Sequence, residues 1–433
     1  MQPLLNKLNR TILSHWYYFH LNVTQYSEDK IKKIQEVKLH KLLSYCCQHI
    51  KYYQEAFRGI DAIQGLEDLA KLPILTKQQI RQRFWDFLPN VLSACRVYRT
   101  SGSSGIPICI LSDESSRINN SAAIIRYRKI FGLKNFQTPI LTPLKKQSDS
   151  ISKTHWTYVQ GFHKTYYVNP YSEERKQIDL GVRTIDTVQD PAIIGITPAI
   201  KALAHQINDG VYPSISPVAV LTVGELLNLQ TRNLLESTFN VKVNDIYACS
   251  EAGDVAWQCP HSSLYHVNAE NCIFEILDKD NKPVDEDEVG EVVITNLNRF
   301  SMPFIRYKNG DLARACYERC DCGRKLPVIK EIIGRSGEDF YLPGGKKLQW
   351  NVLKSVMNHN MIRKFQLVQN ADASVTVKYV PEEAGEINEI EAVLQGRFSR
   401  LLSSSVPISY EVVQSIPQAL SGKSKLVVCN YRP

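Results

Sequence analysis

Thr100-Ser101-Gly102-Ser103-Ser104-Gly105-Ile106-Pro107 is flanked by two runs with strand character, Arg96 to Arg99 and Ile108 to Leu111. The stretch is small, hydroxyl-rich and glycine-rich. Glycine costs backbone entropy, so its use here asks for a reason. One reason is close approach to an anion. Successive N–H groups of a glycine turn form a concave nest, and the Thr and Ser hydroxyls add donors. Two phosphate loops are excluded. A Walker A loop ends in Gly-Lys-Ser/Thr, whereas Gly105 precedes Ile106. The dinucleotide fingerprint needs Gly-x-Gly-x-x-Gly opening a helix, and that spacing is absent. On its own residues the loop is equally a phosphate cradle and a polar hairpin turn.

At 433 residues the chain can hold more than one domain and a large core. Hydrophobic content of 43% and charged content of 22% are globular values. The net charge of +8 is spread along the chain without a long Lys/Arg block. That suits a polyanionic small ligand such as ATP. It suits nucleic acid equally, although base-stacking platforms with interleaved basic residues are not evident. No apolar run has the length of a membrane span. Met1 to Val23 is aromatic but carries Lys7, Arg10, His15 and His20, so it does not read as a signal peptide. Its expected form is an amphipathic helix packed on the body. Eleven cysteines without a secretion signal point to a reducing, cytoplasmic setting.

Periodicity gives a helix over Lys30 to Phe57, then Thr76 as N-cap of a helix through Arg83. A helix over Glu114 to Phe131 follows. Pro139 to Thr142, Ala192 to Thr197 and Val218 to Val223 read as buried strands, the last two followed by helices to Ile207 and Phe239. This alternation predicts an α/β fold with mixed and parallel sheets. Ligands in such sheets sit at the carboxyl ends of strands, and Thr100, Gly224 and Tyr247 all follow or end predicted strands. Gly334 to Lys347 reads as a linker. Beyond it come strands at Phe365 to Gln369 and Ser374 to Tyr379, a helix over Glu386 to Leu402 and a strand at Ile408 to Val413. The expected architecture is a large N-terminal domain, 1–334, and a small mobile α+β C-terminal domain, 340–433.

Four further segments join the glycine loop in order: Thr222-Val223-Gly224-Glu225, Asp245-Ile246-Tyr247-Ala248-Cys249-Ser250-Glu251-Ala252-Gly253, Phe304-Ile305-Arg306-Tyr307-Lys308-Asn309-Gly310-Asp311 and Ser421-Gly422-Lys423-Ser424-Lys425. Together they resemble the ordered core motifs of the adenylate-forming (acyl-CoA synthetase) superfamily. Leu72-Pro73-Ile74-Leu75-Thr76-Lys77 and Cys320-Asp321-Cys322-Gly323-Arg324, followed by Gly334-Arg335, are similar to its phenylacetate–CoA ligase-like and CapK-like branch. Nearly the whole chain is covered. Each motif alone is weak; five in order are not.

The resemblance implies an ATP-dependent, AMP-forming acid–thiol ligase. Activating a carboxylate with ATP brings two anions together, so positioning and charge neutralisation must supply most of the rate. Thr100, Ser101, Gly102, Ser103, Ser104 and Gly105 would cradle the β- and γ-phosphates. Tyr247 would stack on adenine, with Gly224, Glu225 and Ser250 lining the nucleotide pocket. Glu251 would hold Mg²⁺, a hard cation suited to carboxylate oxygen. Asp311 and Arg335 would contact the ribose. Lys423, carried by the small domain, would reach the carboxylate and α-phosphate; Lys425 is the alternative. A hinge within residues 335–339, with Glu338 as its acidic member, would let the small domain alternate between adenylation and thiol transfer. The acid pocket would draw on His155 to Val159, Gly195 to Pro198 and Ala248 to Cys249, whose aromatics favour an aryl or arylacetic acid. The chain departs from the family in having Ile106 and Ile108 where many members carry a lysine, and Ala248 beside Tyr247.

Cys259, His266, Cys320 and Cys322 form two short pairs with the spacing of a four-coordinate structural zinc site, as some relatives in that branch carry; Cys316 and His261 are substitutes. Buried free thiols are the alternative. The expected partners are a small carboxylic acid, CoA or another acyl acceptor, and a second copy of the chain in a homodimer. Three other functions stay open: transfer to an amine, hydroxyl or carrier thiol, a non-catalytic nucleotide-binding scaffold, and a basic nucleic-acid binder.

Overall fold

The computed structural model describes residues 22–92, 94–99, 108–134, 137–144, 155–156, 163–335, 340–342, 347–348, 353, 356–357, 361–382, 387–402, 406–416 and 427–431. They fall into two units, residues 22–99 with 108–309 and 313–332, and residues 310–312 with 333–431.

The first unit opens with α1, Glu28–His49, whose N-cap Ser27 accepts a bond from the Lys30 N–H. Ile31, Gln35, Leu39, Leu42 and Cys46 form its buried stripe. The expected single helix to Phe57 is corrected: the chain turns extended at Ile50 (φ −118°, ψ 107°) before α2, Lys51–Ala56. No glycine or proline marks that break. Ile50 is fully buried in a cluster with Leu72, Phe87 and Phe304, so packing decides it. The helix α3, Lys77–Gln82, begins at Thr76 as expected, and a reciprocal capping box with Gln79 explains why. Strands β1, Arg96–Arg99, and β2, Cys109–Ser112, pair antiparallel, with Arg99 opposite Cys109. They form a two-stranded sheet separate from the main one. Asp113 then caps α4, Glu114–Ile130.

The main sheet has twelve strands: β3 Ile140–Pro143, β4 His155–Trp156, β5 Lys164–Val168, β6 Ala192–Ile196, β7 Ala219–Val223, β8 Val243–Cys249, β9 Gly253–Gln258, β10 Tyr265–Val267, β11 Cys272–Leu277, β12 Val289–Asn296, β13 Tyr307–Ala315 and β14 Val328–Arg335. Their order is β11-β12-β13-β14-β10-β9-β8-β7-β6-β3-β5-β4. The run β5-β3-β6-β7-β8 is parallel. Helices α5, Arg175–Thr187, α6, Thr197–Asn208, and α7, Leu229–Phe239, lie between its strands in sequence. The chain leaves β3 for β5 on one side and returns to β6 on the other. Such a switch opens a crevice at the carboxyl ends of β3 and β6. Gly195 fits there because a Cβ would stand 3.3 Å from Pro143 Cδ. From β8 onward the described pairs β8–β9, β9–β10, β10–β14 and β11–β12 are antiparallel. Leu141, Ile193, Val220 and Val243 fill the core under the parallel strands; Trp257, Val292, Ala313 and Ile329 fill that under the antiparallel ones.

The second unit has its own core and a four-stranded sheet in the order β19-β18-β17-β20, with β17 Ile362–Gln369, β18 Val375–Pro381, β19 Ile408–Val412 and β20 Val427–Cys429. Its helix α8, Ile387–Leu401, buries Ile390, Leu394 and Phe398, one face at helical spacing. The linker expected over Gly334 to Lys347 is corrected in its described parts. Gly334 and Arg335 end β14, and β15, Phe340–Tyr341, pairs with β16, Lys347–Leu348. Among the described residues no helix is long and apolar enough to cross a membrane.

Candidate active site

At the end of β7 the chain turns through Gly224 at φ +86°, a left-handed conformation that disfavours side chains. The Thr197 hydroxyl, opening α6, donates to the Glu225 carbonyl at 2.9 Å and ties the ends of β6 and β7 together. Beneath them, buried Asp245 accepts bonds from Thr222 Oγ1 at 2.6 Å and from the Tyr265 hydroxyl at 3.1 Å. Burial pushes its carboxyl up to about 6 despite those donors.

Strand β8 shifts register between Tyr247 and Ala248, and such irregularities re-aim side chains. The Tyr247 ring stands edge-on to Phe274, and its hydroxyl accepts from Asn309 Nδ2 at 2.6 Å. The next residues are held from the same side of the chain. Arg299 donates to the Ser250 carbonyl at 3.0 Å and Asn296 Nδ2 to the Glu251 carbonyl at 3.2 Å. The Tyr307 hydroxyl donates to Glu251 Oε1 at 3.1 Å. Gly253 ends the turn at φ +80°, where a Cβ would fall 2.5 Å from Asn120 Oδ1. That oxygen accepts the Asp254 N–H at 2.8 Å.

Arg299 is buried and also meets Ser116 Oγ. Burial lowers its basicity, against the opposing pull of Cys249, Asp113, Glu251 and Tyr98. Asp113 does two jobs. One oxygen caps α4 through the Ser116 N–H, and the other accepts the Phe300 and Ser301 N–H groups, each at 2.8 Å. Along β13 burial alternates, placing Tyr307, Asn309 and Asp311 on one buried face of that strand.

Cys259, His266, Cys320 and Cys322 converge, with their four donor atoms within 4.8 Å of one another. Cys259 Sγ and Cys320 Sγ are 3.8 Å apart, and Cys322 Sγ and His266 Nε2 3.3 Å. A tetrahedron with Zn–S bonds of about 2.3 Å and a Zn–N bond of about 2.0 Å has edges of roughly 3.8 and 3.5 Å. The donor set and its spacing therefore fit zinc with no open position. His266 stacks on Trp257, and burial holds its imidazole down at about 4, the neutral form a ligand needs. Burial pushes the Cys320 thiol up to about 11, so a bound cation would displace its proton. Cys316, the substitute, turns to the Glu318 carbonyl and lies outside the four.

Of the sequence candidates, Tyr247, Ser250 and Glu251 share one strand end and its turn, and Gly224 and Glu225 follow the neighbouring strand β7. Asp311 is buried on β13, and Arg335 is the last residue of β14. Thr100 to Gly105, Lys423, Lys425 and Glu338 lie outside the described residues, as do residues 157–159 of the expected acid pocket. Sequence reasoning missed Asn296, Arg299, Tyr307 and Asn309 as groups that hold Tyr247 to Glu251. Two of them stood inside the quoted segment Phe304 to Asp311, singled out there only for Asp311.

Residues 340–430 match the family described as CapK C-terminal domain. Phenylacetate-coenzyme A ligase of Thermus thermophilus is 25% identical over 331 residues, covering 73% of each chain. Protein CapK of Staphylococcus aureus is 21% identical over 422 residues, 92% of this chain and 89% of that one. The solved structure of 2-hydroxyisobutyryl-CoA ligase in its postadenylation state, in complex with R3-HIB-AMP, superposes with a TM-score of 0.74 at 17% identity, over 94% of this chain and 91% of that chain. The fold and these likenesses bear out the resemblance: residues 340–430 match the CapK C-terminal domain, and the chain as a whole is similar to adenylate-forming (acyl-CoA synthetase) enzymes of the phenylacetate–CoA ligase and CapK branch.

Proposed function

We propose that the protein activates a carboxylic acid with ATP and passes the acyl group to a thiol, that of CoA before others. A carboxylate oxygen attacks the α-phosphorus, the bond to the β-phosphate oxygen breaks, and pyrophosphate leaves with the electron pair. The acceptor thiolate then attacks the acyl carbon and AMP departs. The observation that carries this reading is the segment Tyr247 to Glu251: an aromatic ring and a carboxylate at a parallel-strand end beside the Gly224 turn, each hydrogen-bonded in place. Glu251 would hold the Mg²⁺ that offsets phosphate charge. Asp311 would take the ribose hydroxyls with Arg335, and residues 100–105 the phosphates. Lys423 would meet the reacting carboxylate and α-phosphate.

ATP–pyrophosphate exchange over a panel of aryl, arylacetic and aliphatic acids tests the reading. Acid-dependent exchange is expected, strongest with an aryl or arylacetic acid. Exchange with no acid in the panel would leave a nucleotide-binding scaffold. A second reading keeps the adenylate but sends the acyl group to an amine, hydroxyl or carrier. The match of residues 340–430 to the CapK C-terminal domain favours keeping it. Thioester formation with CoA, compared with hydroxylamine trapping of released adenylate, separates the two.

The Cys259–His266–Cys320–Cys322 cluster would hold zinc in a structural role, joining the turn after β9 to the segment after β13. Purified protein is expected to carry close to one zinc per chain by elemental analysis. Cys320→Ser should lose it and destabilise the protein by about 4 kcal/mol or more, as loss of a metal does. Cys316→Ser should keep it. Wild-type protein without zinc would remove the site.

A further inference from the structure

We infer that Tyr307 and Asn309 are positioning residues that divide the nucleotide site between them, Tyr307 setting the Glu251 carboxylate for the cation and Asn309 setting the Tyr247 ring for the base. The inference rests on the function proposed above and assigns roles to residues outside its machinery. Both side chains project from one face of β13, two positions apart in its alternation. Tyr307 is 1% exposed and its hydroxyl reaches Glu251 Oε1 at 3.1 Å. Asn309 is buried and its Nδ2 reaches the Tyr247 hydroxyl at 2.6 Å.

The chemistry of the two contacts differs. A carboxylate that accepts a hydrogen bond on one oxygen loses rotational freedom about its terminal torsion, which is otherwise broad. Its other oxygen then keeps a fixed direction in which to meet a cation. Tyr307 is itself fixed by packing edge-on to Phe304 at 5.2 Å. The Tyr247 ring needs another kind of help. It hangs from a strand at a register shift, and its edge contact with Phe274 leaves the hydroxyl end to be anchored. An amide N–H supplies that anchor and sets the ring plane on which a base would stack. Because β13 carries both donors, one rigid strand sets the spacing between ring and carboxylate, as a preformed site requires.

The test is equilibrium titration of the full chain with ATP across a Mg²⁺ series, with melting temperatures to confirm folding. Tyr307→Phe is expected to leave the metal-free ATP affinity unchanged and to raise the Mg²⁺ concentration giving half of the Mg²⁺ effect by about tenfold, the size of one lost bond to a charged group. Asn309→Ala is expected to do the reverse, weakening metal-free ATP binding about five- to tenfold with the Mg²⁺ midpoint unchanged. A purely structural role would move both readouts together. Wild-type binding of ATP with equal shifts in both readouts, or none, overturns the two roles alone. Wild-type protein that binds no ATP overturns the nucleotide reading of the site itself.

Discussion

Lys423→Ala is expected to lower ATP–pyrophosphate exchange by about 10²- to 10³-fold, the usual loss when one group aimed at developing charge is removed. The same variant should still convert a preformed acyl-adenylate and thiol to thioester and AMP. The asymmetry follows from where charge must be offset. In the first half-reaction a carboxylate approaches the triphosphate, and the negative charge of both must be neutralised at the reacting atoms. In the second, the acyl group and the α-phosphate are already joined, and the thiol meets a carbon. The glycine loop adds weight to this expectation, because Ile106 and Ile108 put no lysine in it or just after it. Arg299, the buried cation beside Glu251, is committed to the Ser250 carbonyl and to Ser116. In the proposed reaction the task would fall to Lys423, within the stretch that matches the CapK C-terminal domain, where an ammonium on a flexible stem would suit a point-charge role. Lys423→Arg should restore little, since a planar fork does not replace a point charge. Lys425→Ala is the control. Exchange within about threefold of wild type in Lys423→Ala, with loss in Lys425→Ala, would move the role to the neighbour.

What could be read from the sequence was local. The Thr76 cap, the helix from Glu114, the strands at Ile140, Ala192 and Ala219 and the motif order all depend on residues near one another in the chain. The four candidate zinc ligands were also legible, because each pair is compact and donor types are few. The break at Ile50 was not, since it is imposed by packing against residues far along the chain. Nor were the holders of the site. Tyr307 and Glu251 are 56 positions apart, and a tyrosine among strand residues reads as core until its hydroxyl finds a partner. Asn309 stands two positions before Asp311 with nothing local to mark it, and only the strand alternation of β13 places it beside Tyr307 on the buried face.

Replacing Arg126 alone with leucine is expected to destabilise the first unit by about 3–5 kcal/mol, whereas the double replacement Arg126→Leu/Glu270→Leu should recover most of that loss. On the sequence Arg126 is one basic residue in a helix with several, the pattern of a solvated face. In the fold it is 0% exposed, and its guanidinium donates to Glu270 Oε1, also 0% exposed, at 2.5 Å. A second N–H meets Asn268 Oδ1. Lys38 from α1 donates to the Glu270 carbonyl at 2.6 Å and to Asn298 Oδ1 at 3.0 Å, and burial lowers its ammonium to about 8. Asn298 in turn donates to Asn271 Oδ1, and Asn271 to the Asn119 carbonyl. This network joins α1 and α4 to the loop before β11 and to the loop before β13 that carries Arg299, so it lies one step behind the groups that hold Glu251. Removing one partner strands the other's charge where water cannot reach it, and that desolvation is the source of the cost. Removing both takes the charge away and leaves apolar surface that the surrounding core can accept. Denaturant midpoints followed by tryptophan fluorescence would show the difference, with Trp257 fully buried in the adjoining core. If Arg126→Leu alone stays within about 1 kcal/mol of wild type, the pair does not hold the helix to the sheet, and the loop before β13 must be fixed by its other bonds, to Asp113, Leu111, Ser116 and Ser250.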